Sequence, residues 1–196
     1  MTYRALSLRL SLVAAVCAVV GMAHPAAAEI EKFMNPCDGG VCAFFRASTA
    51  VPEGWAEHAE ATRELRVQML LPKGQDFDEA PAKIYTLVRY NAGRKLQVAD
   101  IVKDTYADWR SRAKAAKLAA TPEKLADIAR ADGKPAFVSH RFEAPRLKEQ
   151  GFERTSITTD TDKDGNSFFV IVVLSANSRD AFVKAEGAYN SILKSY

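Results

Sequence analysis

The chain has 196 residues, of which 48% are hydrophobic and 26% charged, with 27 Lys and Arg against 24 Asp and Glu for a net charge of +3. Arg4 and Arg9 sit in an N-terminal segment that reads as removable, and without them the balance drops to +1, which argues against nucleic acid or a charged membrane surface as a partner. About 168 residues then remain, enough for one domain with a sizeable core and too few for two.

Met1 to Ala28 runs from a short basic start through an apolar stretch, Leu10 to Ala23, to Ala26-Ala27-Ala28 before Glu29. This is the layout of a secretion signal cleaved after Ala28, and it points to a periplasmic or secreted protein. The apolar stretch falls short of the roughly 20 residues that cross a bilayer as a helix, and no later segment reaches that length, so no membrane span is expected. Ala15-Val16 ahead of Cys17 lacks the small residue that precedes a lipid-modified cysteine.

Residues 29–40 read as a polar, glycine-bearing lead-in, and residues 41–196 as a single domain. Cys37 and Cys42 enclose Asp38-Gly39-Gly40-Val41 and are expected to pair in an oxidising compartment. A redox dithiol has two intervening residues, and a zinc site needs more ligands than His58 and His140 supply.

Val41 to Ala47 predicts a first strand, followed by a turn at Pro52-Glu53-Gly54 with Trp55 as an apolar anchor. Alternation of Leu65, Val67 and Met69 with Arg66 and Gln68 predicts a strand over Glu64 to Leu71, ended by Pro72-Lys73-Gly74. Ile84, Tyr85, Leu87, Val88 and Tyr90 make Lys83 to Asn91 a strand covered on both faces. From Val98 the period changes to three and four, which predicts an amphipathic helix to about Ala116. Its outer line, Lys103, Arg110, Lys114 and Lys117, suits docking on an anionic partner or an ordinary solvated face, with Asp100, Asp104 and Asp108 diluting the charge.

Leu125 to Ala131 and Pro135 to Glu143 flank Asp132-Gly133-Lys134, a hairpin signal; Thr121-Pro122-Glu123 alternatively opens a short helix. Phe152 to Thr159 alternates into a second turn at Asp162 to Asn166. Phe168 to Leu174 is an unbroken apolar run, the mark of a central strand. Asn177 is placed to cap a last helix whose stripe is Phe182, Ala185, Tyr189, Ile192, Leu193 and Tyr196. Strands, a helix, strands and a helix with hairpin connections predict an α+β fold, a central antiparallel sheet of six or seven strands flanked by helices.

Three patterns bear on chemistry. Asp160, Asp162 and Asp164 alternate before Gly165 as a calcium loop begins, but Ile171 stands where the closing glutamate belongs, and the same residues suit a tight turn. His140 shares a strand face with Ala136, Val138 and Phe142; it fits a partly buried structural histidine better than a small hydrolase or metal-dependent enzyme working with carboxylates. His58, beside Glu57 and Glu60, reads as a solvated loop residue. No nucleophile elbow, zinc helix, phosphate loop or dinucleotide fingerprint occurs, so no cofactor is expected.

The strings Pro52-Glu53-Gly54-Trp55, Leu71-Pro72-Lys73-Gly74 and Ala80-Pro81-Ala82-Lys83-Ile84-Tyr85, with Phe168 to Leu174, Ser175-Ala176 and the closing Leu193-Lys194-Ser195-Tyr196, resemble small exported bacterial proteins of the PsbP-like group. The resemblance implies an antiparallel sheet with helices on both faces, as in the photosystem II subunit PsbP and the Mog protein that binds the GTPase Ran. It also implies binding or assembly work in place of catalysis, here with another envelope protein as partner.

The exported protein is expected to begin at Glu29 and to be lighter by two hydrogens before reduction than after it. Intact-mass spectrometry with and without a reductant checks both; a chain that keeps Arg4, or whose mass ignores the reductant, overturns the respective expectation.

Overall fold

The structure is a computed structural model that describes residues 29–37, 39–118, 121–147 and 150–196. The signal segment lies outside the described residues. In chain order the elements are β1 (Glu29–Cys37), β2 (Gly40–Ser48), β3 (Trp55–Glu57), α1 (Ala59–Leu65), β4 (Gln68–Pro72), β5 (Ala82–Tyr90), α2 (Val98–Ala115), β6 (Thr121–Lys124), β7 (Val138–Glu143), β8 (Phe152–Thr161), β9 (Ser167–Ala176) and α3 (Arg179–Ser195).

Seven strands form one antiparallel sheet in the order β3-β4-β5-β9-β8-β7-β6, and β1 pairs with β2 in a separate hairpin. The order follows from the turns: β6 to β9 is a meander that folds back until β9 meets β5. β9 therefore has a full-length neighbour on each side, and its side chains alternate between two cores. Phe168, Val170, Val172, Leu174 and Ala176 face α3, packing with Phe182, Ala185, Tyr189, Ile192 and Leu193. Phe169, Ile171 and Val173 face α2 through Ile101, Val98 and Val102. An apolar run without alternation is what such two-sided burial requires, and the α+β sandwich expected from the sequence is the fold observed.

Five local expectations need correction. Residues 29–37 are strand β1 and not a lead-in: Ile30 is 7% exposed and joins Phe45 and Ala47 of β2 on the α3 face of the sheet. Glu64 to Leu71 is not one strand. His58 Nδ1 accepts from Ala61 N at 3.2 Å and starts α1, Arg66 in the left-handed region (φ 58) ends it, and β4 begins at Gln68. The alternation of Leu65, Val67 and Met69 straddles that break.

The hairpin around Asp132-Gly133-Lys134 forms, but its first arm is β6, and Leu125 to Ala131 meets the β7 chain through the Leu125 N–H to Ser139 carbonyl bond and the Ile128 to Phe137 bridge, not as a regular ladder. There Arg130 turns inward to Asp132 (2.6 Å) and Asp160 (2.8 Å), which takes the segment off a regular ladder. Thr121-Pro122-Glu123 opens no helix; Pro122 sits on the edge strand β6, where its missing N–H leaves no central ladder bond unmade. The last helix is capped by Ser178, whose Oγ accepts from Ala181 N at 3.3 Å, not by Asn177.

Phe168 is fully buried while Val183, on the outer side of α3, is 57% exposed. Phe168→Ala is expected to cost about 3–5 kcal/mol and Val183→Ala less than about 0.5 kcal/mol. Urea unfolding of the two variants checks the ranking.

Candidate functional site

The α2 face of the sheet is covered unevenly. α1 and the turn after β4 pack over β4, where Ala61, Met69, Leu71 and Ala80 form a small core, and α2 lies over β8 and β7. Between them the end of β5 and β9 is left as the floor of a groove of about 830 Å³. Val67, Met69 and Phe77 line its apolar side, and Lys83, Tyr85 and Ser175 lie on its floor.

The register explains the floor. Lys83 pairs with Ser175, which pairs with Glu153 of β8; Tyr85 pairs with Val173, which pairs with Thr155, and Thr155 pairs with His140 of β7. In an antiparallel ladder directly opposed residues share a face. Two rows of side chains, one holding Lys83, Ser175 and Glu153 and the other Tyr85, Thr155 and His140, therefore point to the α2 side. The Lys83 ammonium lies 3.9 Å from the centre of the Phe77 ring.

Glu153 ties β8 to α2 beside the groove. Its carboxylate accepts from Trp109 Nε1 at 2.6 Å and from Arg112 Nη2 at 3.0 Å, while Arg112 also donates to Asp108 at 2.9 Å and to Gln150 at 3.0 Å. Burial pushes the Glu153 carboxyl above the usual carboxylate range, with Arg112 and Trp109 pulling the other way. Burial, and then the charge of Glu153, also push the Tyr85 phenol far up, so its hydroxyl stays protonated and available as a donor.

His140 is not in the groove. It is 4% exposed beneath α2, its Nδ1 lies 2.7 Å from Tyr106 Oη, and its Nε2 is buried without a hydrogen-bond partner. Among the described residues no carboxylate ion-pairs with it, so the acid–base pair that a hydrolase reading needs is not assembled. Burial, and then the positive charge of Lys124, lower its basicity, with Asp127 opposing.

The alternating aspartates part company as well. Asp160 accepts from Arg130 and Lys134, both at 2.8 Å; burial alone would raise its carboxyl, but these bonds hold it below the ordinary range. Asp162 accepts from the backbone of Asp164 and Asn166 and from the Asn166 side chain, closing its own turn. Asp164 is exposed. Among the described residues no three His, Cys, Asp or Glu side chains are grouped to hold a metal.

Lys103, Arg110 and Lys114 are exposed on α2, while Lys117 follows the helix in the left-handed region (φ 55). The neighbouring acids Asp104 and Asp108 are ion-paired to Arg89 and Arg112. His58 is no idle loop residue, since it caps α1. The side chain of Cys37 lies outside the described residues, so its pairing with Cys42 is carried forward as a proposal. The groove residues escaped the sequence reading because their common face exists only once β5, β9 and β8 are in register; a polar Glu153 inside an alternating strand was the visible hint.

No family model matches this chain, and no curated protein matches it. Among solved structures it is similar to the solution structure of cyanobacterial PsbP (CyanoP) from Synechocystis sp. PCC 6803, at 14% identity over 91% of this chain and 94% of that chain, with a TM-score of 0.38. So loose a superposition carries no functional argument.

His140 supplies a pH dependence. Its folded-state basicity lies below the ordinary value of 6.5, so the unfolded chain takes up the proton first. Stability is then full above about pH 6.5 and falls as the pH drops from there towards the lower folded value. Denaturant unfolding across pH 5 to 8 checks this; in His140→Phe that part of the decline is expected to flatten.

Proposed function

We propose that this chain is an exported binding or accessory module of the cell envelope, held together at its Cys37 to Cys42 loop by a disulfide, and that the groove between α1 and α2 is its working surface. The carrying observation is the uncovered end of β5 and β9: two central strands of the sheet form the floor of an open groove of about 830 Å³. Ligand-sized clefts that set placed polar groups beside apolar side chains, as this one does, are where folded domains bind partners. The α1 side is fixed in advance by its own small core, and Gln150 on the opposite side is held by Arg112 of α2 at 3.0 Å. A preformed groove loses little conformational entropy on binding.

The partner is another envelope component, and the exposed Leu65 at the groove's rim, 53% exposed, is positioned to touch it. A photo-crosslinker placed at Leu65 of the mature chain is expected to give one stoichiometric adduct in an envelope extract. The same group at Val183, on the other side of the sheet, is expected to give none. The adduct should be suppressed by excess unlabelled mature chain and lost in Val67→Glu. No adduct at Leu65, or equal adducts at both sites, would count against the groove as the working surface.

A further inference from the structure

The groove floor also carries a charge pattern that names a ligand class. Lys83, Tyr85 and Ser175 are one ammonium and two hydroxyls on one sheet face, with Lys83 and Ser175 directly opposed and Tyr85 two residues along. Opposed residues of an antiparallel pair sit about 5 Å apart and same-face neighbours along a strand about 7 Å apart. Among the described residues none of the three side chains has a hydrogen-bond or ion-pair partner; Lys83 rests only on the Phe77 ring. Three donors without acceptors at the base of a groove with an apolar side are complementary to an anionic oxygen group on an apolar body. A carboxylate there gains charge-assisted bonds, while the body covers Val67, Met69 and Phe77. Asp78, on the exposed turn, also lines the groove and repels a second negative charge at the rim.

We infer that the groove binds a small amphiphilic monocarboxylate, its head on Lys83, Ser175 and Tyr85 and its apolar body against Val67, Met69 and Phe77. The inference rests on the groove being the working surface and adds the class of molecule that fills it. Decanoate is a suitable probe, with decanol as its uncharged counterpart. Calorimetric titration of the mature chain is expected to show one decanoate site, at least about tenfold weaker in Lys83→Gln, within about threefold of wild type in Lys83→Arg, and unchanged in Lys184→Gln on α3. Circular dichroism establishes that each variant is folded, and Ser175→Ala, which removes a single floor hydroxyl, is expected to weaken binding even if Lys83→Gln does not fold. No heat at several millimolar decanoate, or binding of decanol as tight as that of decanoate, overturns the inference. So does decanoate affinity indifferent to Lys83 and Ser175. A Leu65 adduct that forms while decanoate fails to bind leaves the groove as a protein-docking surface and removes only the carboxylate. Lys83-dependent decanoate binding without any adduct supports the carboxylate and removes the protein partner.

Discussion

Everything in this molecule is arranged around β9, because a strand with a full neighbour on each side and a helix layer above and below can present no polar side chain without a partner. Phe168 to Leu174 meets that demand with seven consecutive apolar residues, split between the α3 core and the α2 core. Once those residues are committed to the middle, β5 and β8 are the only places beside it, and the hairpin turns decide which strand lies further out.

The same constraint creates the groove. Where β9 leaves its doubly covered stretch, at Ser175, the α2 layer ends, and polar residues on the three adjacent strands come to share one face. Glu153 lies on the covered side of that border. A carboxylate at 6% exposure is costly to bury, and its bonds to Trp109 and Arg112 offset the cost while tying α2 to β8. Lys83 lies on the open side and needs no such partner, since water reaches it. One row of the sheet thus passes from a locked ion pair to a free cation within three strands.

Individual residues show how far local pattern reaches. The stripe from Phe182 to Tyr196 was readable because a helix period is a property of neighbouring residues, and every one of its side chains is buried. His140 was readable as structural for a similar reason: Val138 and Phe142, two residues away on either side along its face, are apolar. The helix α1 was not, because Leu65, Val67 and Met69 mimic strand alternation across a left-handed Arg66, and only the cap supplied by His58 reveals the start. The inward turn of Arg130 was equally hidden, since its partner Asp160 is 30 residues away.

By itself the sequence determined the fold class, the central strand, both long helices and the turns at Asp132 to Lys134 and Asp162 to Asn166, because each is encoded in a run of adjacent side chains. Tertiary structure alone decided that β1 belongs to the packed hairpin, that Asp160 serves Arg130, and that Lys83, Tyr85, Ser175 and Glu153 meet on one face. The shared face depends on register between strands 70 to 92 residues apart in the chain, counted from Lys83 to Glu153 and Ser175, and no local periodicity carries that information.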